Sequence, residues 1–361
     1  MALLFMTRKF PPSMGGMEQF ARDLYGALCA EQDVRLIKWG GSNKYLPLVL
    51  PYFFFSACWL LVWGKITIIH MQDGVLAPVG YVLSRLFRRP FTVVLHGLDI
   101  TNKSWLYQML IPRFVAKADV VFCISHATAA EAIQRGVSAK RVRVVPLGVI
   151  DEYHADKYAA HQKLRAELGL PEDAPILLTV GRLVERKGVA WFVEYVMPKL
   201  LAEWPAAVYL VVGSGSDKAN VRIAMEQANL GGHIRLLGAV SKEMLATLYN
   251  GADVFVQPNI VVPGDMEGFG LVLLEASLCE LPVVAAGVEG IRDAIIDGEN
   301  GVLVVSGESQ AFVRAIGTLL KNSKRAQAFG ASSRKYTLAH FQWETIAKQY
   351  ILAYKTLTRA K

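Results

Sequence analysis

Several short runs in this chain set glycines beside charged or imidazole side chains, in spacings suited to phosphate and polyol chemistry. In GRLVERKG, Gly181 to Gly188, Arg182 and Lys187 follow an apolar run, where two cations can clamp a diphosphate and Gly181 allows close approach. In EGFGLVLLE, two glutamates stand eight residues apart, Glu267 in a loop and Glu275 two turns into a helix. Between them Gly268, Phe269 and Gly270 lead into that helix, whose first amides, from Leu271 onward, can hold phosphate. Glu275 lies within LVLLEASL, so it is expected to be buried and in need of donors. A ribose diol supplies two; a structural salt bridge is the competing reading. LHGLDIT places His96 and Asp99 beside Gly97 at the end of another apolar run. Paired glycines, Gly15 and Gly16, open a helix near the N-terminus, where the backbone can approach an anionic ligand; a tight turn without a ligand is the competing reading. Gly213 ends a further run close to where phosphate would lie, and Gly238 to Val240 can offer backbone groups to a nucleobase.

Short runs rich in Val, Ile and Leu alternate with helix-period segments along the whole chain and would carry these residues. The first half has Ala2–Met6, Val34–Trp39, Thr67–Met71, Phe91–Leu95, Asp119–Ile124 and Val142–Val145. The second has Ile176–Val180, Val208–Val212, Ile234–Leu237, Val254–Gln257, Pro282–Ala285 and Val302–Val305. Continuously apolar strands covered by helices predict parallel sheets buried on both faces. Two sets of six predict two doubly wound α/β domains, one over residues 1–155 and one over 170–340, with a helix at about 341–361 returning to the first. The polar stretch Ile150–Pro175 reads as the linker. Ligands of such folds sit at the carboxyl ends of strands, so a site between the domains is expected.

With 53% hydrophobic and 19% charged residues, the 361-residue chain can bury two cores, which excludes a disordered or collagen-like protein. Its four cysteines form no CxxC pair, so neither a disulfide framework nor a zinc site is read, and a reducing compartment is expected. Basic residues follow, rather than precede, a very short apolar run at the N-terminus, unlike a secretory signal. The net charge of +8 is uneven: residues 1–150 hold 17 Lys and Arg against 8 Asp and Glu. No zinc-finger, RRM-like or basic-helix pattern accompanies that excess, so nucleic acid is not an expected partner. An anionic membrane surface or a plain basic face accounts for it. Tyr45 to Gly64 is free of charge. Pro47 and Pro51 are expected to break a helix there, leaving Tyr52–Trp63, about 18 Å long and too short for a hydrocarbon core of about 30 Å. That segment is either core or an interfacial surface, to which its aromatic residues are suited.

In this order, GG-x-E, HGxD, GRLxxxKG, G-x-G and E-x7-E resemble the retaining nucleotide-sugar-dependent glycosyltransferases of family 4, over nearly the whole length. The resemblance implies a GT-B fold: two Rossmann-like, doubly wound domains facing across an inter-domain cleft. It assigns the ribose hydroxyls to Glu275, the diphosphate to Arg182 and Lys187, and a place near the diphosphate to Gly16. Glu267, the amides after it and His96 would surround the transferred sugar, with Asp99 toward the acceptor. Ser216 stands where a proline is usual, and Asp293 where glutamate is common. Asp265-Met-Glu267 mimics a metal-binding DxD, but the resemblance implies no metal and no cofactor, the basic clamp taking that role. The expected reaction moves a hexosyl or N-acetylhexosaminyl group from a nucleotide-sugar to a lipid-linked or membrane-associated glycan acceptor. It would run in the cytoplasm, at the inner face of the cytoplasmic membrane, in polysaccharide or glycolipid synthesis. A nucleotide-sugar epimerase of the same fold and a non-catalytic nucleotide-sugar binder are the alternatives. A dehydrogenase is disfavoured because the run from Gly213 to Lys218 lacks the third glycine of G-x-G-x-x-G.

Overall fold

Each apolar run read as a strand forms one in the computed structural model, which describes residues 2–13 and 15–359. The chain divides into two units, Met1–Gly148 with Phe341–Lys361, and Val149–His340.

The first unit begins β1 (Ala2–Thr7), α1 (Gly16–Cys29), β2 (Asp33–Lys38), α2 (Leu46–Trp63), β3 (Ile66–Met71) and α3 (Ala77–Phe87). It continues β4 (Phe91–Leu95), α4 (Trp105–Val115), β5 (Val120–Cys123), α5 (His126–Gln134) and β6 (Val142–Val144). The second begins α6 (Lys157–Leu168), β7 (Ile176–Val180), α7 (Val189–Tyr195), α8 (Met197–Glu203), β8 (Val208–Val212), α9 (Lys218–Gln227) and β9 (Ile234–Gly238). It continues α10 (Lys242–Gly251), β10 (Val254–Gln257), α11 (Leu271–Leu278), β11 (Val283–Ala286), α12 (Ile291–Ala294), β12 (Val302–Val304), α13 (Ser309–Lys321) and α14 (Ser323–Phe341). The last helix, α15 (Trp343–Arg359), clusters with the first unit, where the Tyr354 hydroxyl lies 2.9 Å from His70 Nδ1.

Each unit holds one six-stranded sheet, paired in parallel throughout, in the orders β2-β1-β3-β4-β5-β6 and β12-β11-β10-β7-β8-β9. All residues of β4, β5, β7, β8, β10 and β11 are buried, which is why these strands read as nearly continuous apolar runs. The strand order reverses between β1 and β3 in the first sheet and between β7 and β10 in the second. At such a switch point neighbouring loops diverge and leave a crevice beyond the carboxyl ends of the strands.

Two expectations change. The stretch Ile150–Pro175 is not a free linker: it holds α6 and belongs to the second unit. Asp156 caps that helix by accepting Ala159 N–H at 2.8 Å, and Asn250 on α10 binds both the Ala155 amide and the Tyr153 carbonyl. Its outward polar face made it read as a connection.

The second change concerns α2, which runs through Pro51 and is 18 residues long, about 27 Å at 1.5 Å per residue. Pro47 lies in the first turn, where no intrahelical bond is lost, so only Pro51 removes one. Val49, Phe53, Ala57 and Leu61, spaced by four, bury one stripe against the sheet and offset that loss. The other faces are apolar too: Leu48, Tyr52, Phe55, Trp59, Val62 and Trp63 are 57–73% exposed. By length and composition α2 could cross a membrane. Its connections forbid this, because it joins β2 to β3, and both strands pair with β1 in one sheet.

Candidate active site

A buried cluster of charged side chains lies at the switch point of the second sheet. After β7 the chain passes Gly181 and turns through Glu185–Lys187, which buries Arg186 and Lys187. Two close approaches fix this loop. A Cβ on Gly213 would lie 1.9 Å from the Gly181 carbonyl oxygen, and one on Gly188 2.0 Å from that of Pro258. Both glycines have positive φ, 122° and 67°, so neither position tolerates a side chain.

The loop after β10 brings Glu267 to these cations. Glu267 Oε2 accepts from Lys187 Nζ at 2.6 Å and from Asn259 Nδ2 at 3.1 Å, while Arg186 Nε stands 3.5 Å from the same oxygen. Arg186 Nη1 reaches Asp265 Oδ1 at 2.9 Å. Burial is the largest single influence on Glu267 and opposes its charge. Lys187, Arg186 and Asn259 together nonetheless hold its carboxyl below the usual range. Glu289, itself at φ 44°, accepts the backbone N–H of Glu267 and so fixes where that residue sits. Arg186, Asn259 and Glu289 were not singled out from the sequence. Arg182, which was, is exposed and has no ion-pair partner among the described residues.

Glu275 belongs to a separate network. The Tyr249 hydroxyl of α10 donates to its Oε2 at 2.7 Å, and burial pushes its carboxyl up to about 7. Gly270, at φ 91°, is the N-cap of α11, whose first amides lack intrahelical partners. The Phe269 side chain is buried and Gly268 is half-buried just before it. At the end of β9 the Gly238 carbonyl accepts the N–H of Gly213, which follows β8, at 2.7 Å, and Val240 lies just beyond, half-buried.

In the first unit His96 follows β4. Its Nε2–H donates to the Gln72 carbonyl at 2.9 Å, a contact that fixes the tautomer because a carbonyl only accepts. Phe20 packs edge-on at 5.0 Å between ring centroids. Asp99 accepts the amides of His96 at 2.7 Å and Gly74 at 3.4 Å. With both oxygens on backbone amides, and burial raising its carboxyl, it braces the loops after β3 and β4. Gly15 is the extended N-cap of α1, and Gly16 opens that helix with nothing within 4 Å of its Cβ position. Arg8–Asp73 at 3.0 Å and Lys9–Glu18 at 3.1 Å, both unforeseen, lie beyond β1 and β3. Among the described residues no three His, Cys, Asp or Glu side chains gather as metal ligands.

Two family models match the chain: Glycosyl transferases group 1 over residues 160–336, and Glycosyltransferase Family 4 over residues 14–153. The chain is 31% identical over 318 residues to a D-inositol 3-phosphate glycosyltransferase of Xylanimonas cellulosilytica, covering 82% of this chain and 74% of that one. It is 26% identical over 369 residues to the GDP-mannose-dependent alpha-(1-6)-phosphatidylinositol monomannoside mannosyltransferase of Mycolicibacterium smegmatis, covering 95% of each. Sucrose-phosphate synthase from Thermosynechococcus elongatus superposes with a TM-score of 0.80 at 26% identity, over the whole of both chains. Anabaena HepE in complex with UDP-glucose gives 0.78 at 21% identity, covering 99% of this chain and all of that one.

Proposed function

The chain belongs to glycosyltransferase family 4 and has the GT-B fold, and on that premise we propose that it is a retaining, metal-independent hexosyltransferase acting on a lipid-linked acceptor at an anionic membrane surface. The observation that carries this reading is the buried Arg186–Lys187–Glu267 cluster beside the β7/β10 switch point.

Breaking the anomeric bond leaves charge on the β-phosphate and oxocarbenium character on the sugar. Lys187 and Arg182 stabilise the phosphate, together with the first amides of α11; preorganised donors of this kind contribute roughly 3 kcal/mol each. A diphosphate drawn to Lys187 releases Glu267 toward the sugar, and Glu275 receives the ribose hydroxyls. The sugar's bond to the leaving oxygen breaks, its bond to the acceptor oxygen forms on the same face, and the acceptor proton passes to the departing phosphate. His96 and the amides after Glu267 line the sugar. Asp265 and Glu267 are both engaged by cations, which supports a reaction without a divalent metal.

The exposed apolar faces of α2 support an acceptor held at a membrane, with the protein peripheral at the inner face of the cytoplasmic membrane. Two relatives, one of them GDP-mannose-dependent, are named for inositol-containing acceptors, so GDP-mannose with a phosphoinositide glycolipid is the first pair to assay. Product analysis tests the reading. A new α-glycosidic bond, formed from an α-linked donor and only when acceptor is present, is expected. Inverted product, or donor consumed to an epimer without acceptor, overturns it.

A further inference from the structure

A second concave site lies on the first unit, at the edge of the sheet where the strands begin. It is a cavity of about 800 Å3 lined by Arg85, Arg88, Arg89, Lys117 and Arg141, with Asp119 as the carboxylate among its lining residues. Asp119 is committed, since its Oδ2 accepts Phe91 N–H at 2.9 Å. Among the described residues no carboxylate pairs with Arg85, Arg89, Lys117 or Arg141. One guanidinium is already aimed: Arg141 Nη1 donates to the Ala116 and Ala118 carbonyls, at 3.1 and 3.2 Å. Basic residues in the last turn of α3 complement its dipole, but that does not account for cations converging from three further segments. Cations without a carboxylate partner around a concave space, here Arg85, Arg89, Lys117 and Arg141, are the arrangement that takes up an anion with several oxygens.

The surroundings identify the source of that anion. Helix α3 packs between α2 and α4. It exposes Val82 and Leu86 on the helix that carries Arg85. Because α2 runs directly into β3 and α3 into β4, Trp59 and Trp63 stand at the same sheet edge as the cavity. The loops carrying Gly15 and His96 leave the opposite edge.

We infer that this cavity binds the phosphate of an anionic lipid headgroup, while the adjoining exposed side chains of α2 and α3 enter the interface. The inference extends the membrane reading of the proposed function, and its occupant is distinct from the acceptor, whose site lies at the other edge.

The test is sedimentation of the full chain with vesicles of phosphatidylcholine alone or with phosphatidylglycerol. Arg85→Gln, Arg89→Gln and Lys117→Gln are combined in one variant. A control removes Arg35, Lys348 and Lys355, exposed cations that do not line the cavity. The cavity variant is expected to lose about tenfold or more in partitioning to phosphatidylglycerol vesicles. It should bind phosphatidylcholine and nucleoside diphosphate as the parent does, which shows that it is folded. An equal loss in the control would mean a diffuse field rather than a site, and overturns the inference, as does undiminished binding by the cavity variant. Inorganic phosphate that raises the melting temperature of the parent alone, without headgroup-dependent sedimentation, would assign the cavity to a soluble anion and overturn the lipid source. Sedimentation needs no turnover, so failure of the transferase reading and failure of this one are told apart.

Discussion

Replacing Glu275 with Gln should change both the stability of the protein and the pH dependence of nucleotide binding, in opposite senses. Burial moves this carboxyl from the ordinary 4.5 up to about 7; the Tyr249 hydrogen bond opposes the shift and the charge of Glu152 adds to it. Tyr153 and Cys279 are the other titratable groups nearby, and both are held neutral by burial. Between these two pKa values the folded chain holds a proton that the unfolded chain has lost, so stability falls as pH rises from about 4.5 to about 7. Above that window the charge costs the ligand-free protein about 3 kcal/mol. Glu275→Gln should therefore raise the urea midpoint at pH 8 and leave it nearly unchanged at pH 4.5. Ribose hydroxyls donate to the ionised carboxylate, so nucleotide binding below pH 7 must expel that proton. The apparent affinity of the parent should drop by about tenfold from pH 8 to pH 6 through this group. A nucleotide's terminal phosphate also titrates near pH 6, so the measurement is the difference between parent and variant. Calorimetry with GDP and UDP, in buffers of different ionisation enthalpy, should find additional proton release by the parent at pH 6 and none at pH 8.5. Identical pH profiles and proton release in the two proteins would refute the placement of ribose on Glu275.

Lys187→Ala removes a charge-assisted donor and should weaken nucleoside diphosphate binding by roughly 1.5–3 kcal/mol; calorimetry giving an unchanged constant removes Lys187 from the diphosphate site. Transfer should persist in EDTA, and turnover that is lost on chelation and restored by magnesium or manganese would show that Asp265 and Glu267 serve a metal instead. Gly213→Ala drives a methyl group against the Gly181 carbonyl at a positive φ and should cost more than about 1 kcal/mol in urea denaturation. A variant as stable as the parent would mean that the two loops do not depend on that approach.

The central strands were legible because burial on both faces leaves few polar residues to break the pattern, and the loops that carry the site follow from their ends. Orientation within a loop was not legible. GRLVERKG offers three cations, and the single turn through Glu185–Lys187 decides that Arg186 and Lys187 point inward while Arg182 stays exposed. Glu289 was hidden for a similar reason. Its role depends on a left-handed backbone and on a hydrogen bond to a residue 22 positions earlier, neither of which has a local signature. The resemblance puts Asp99 toward the acceptor, beside His96, and only the fold shows that both its oxygens meet amides. Helix α6 looked like a tether because most of its surface faces water, and α2 kept its second proline because packing on the sheet outweighs one lost hydrogen bond.

The placement of α2 between two strands of one sheet has a consequence for biosynthesis. The helix emerges from the ribosome before Ile66–Met71, and until that strand pairs with β1 nothing ties the far end of α2 to the sheet. During this interval the nascent chain presents an uncharged 18-residue segment of the kind that the membrane-insertion machinery accepts. At roughly 5–20 residues per second the interval lasts about a second. The fate of the segment is then a race between sheet closure and insertion. Delaying β3, by slow codons or by substitutions that weaken its pairing with β1, would leave the chain stranded in the bilayer with its first sheet unmade.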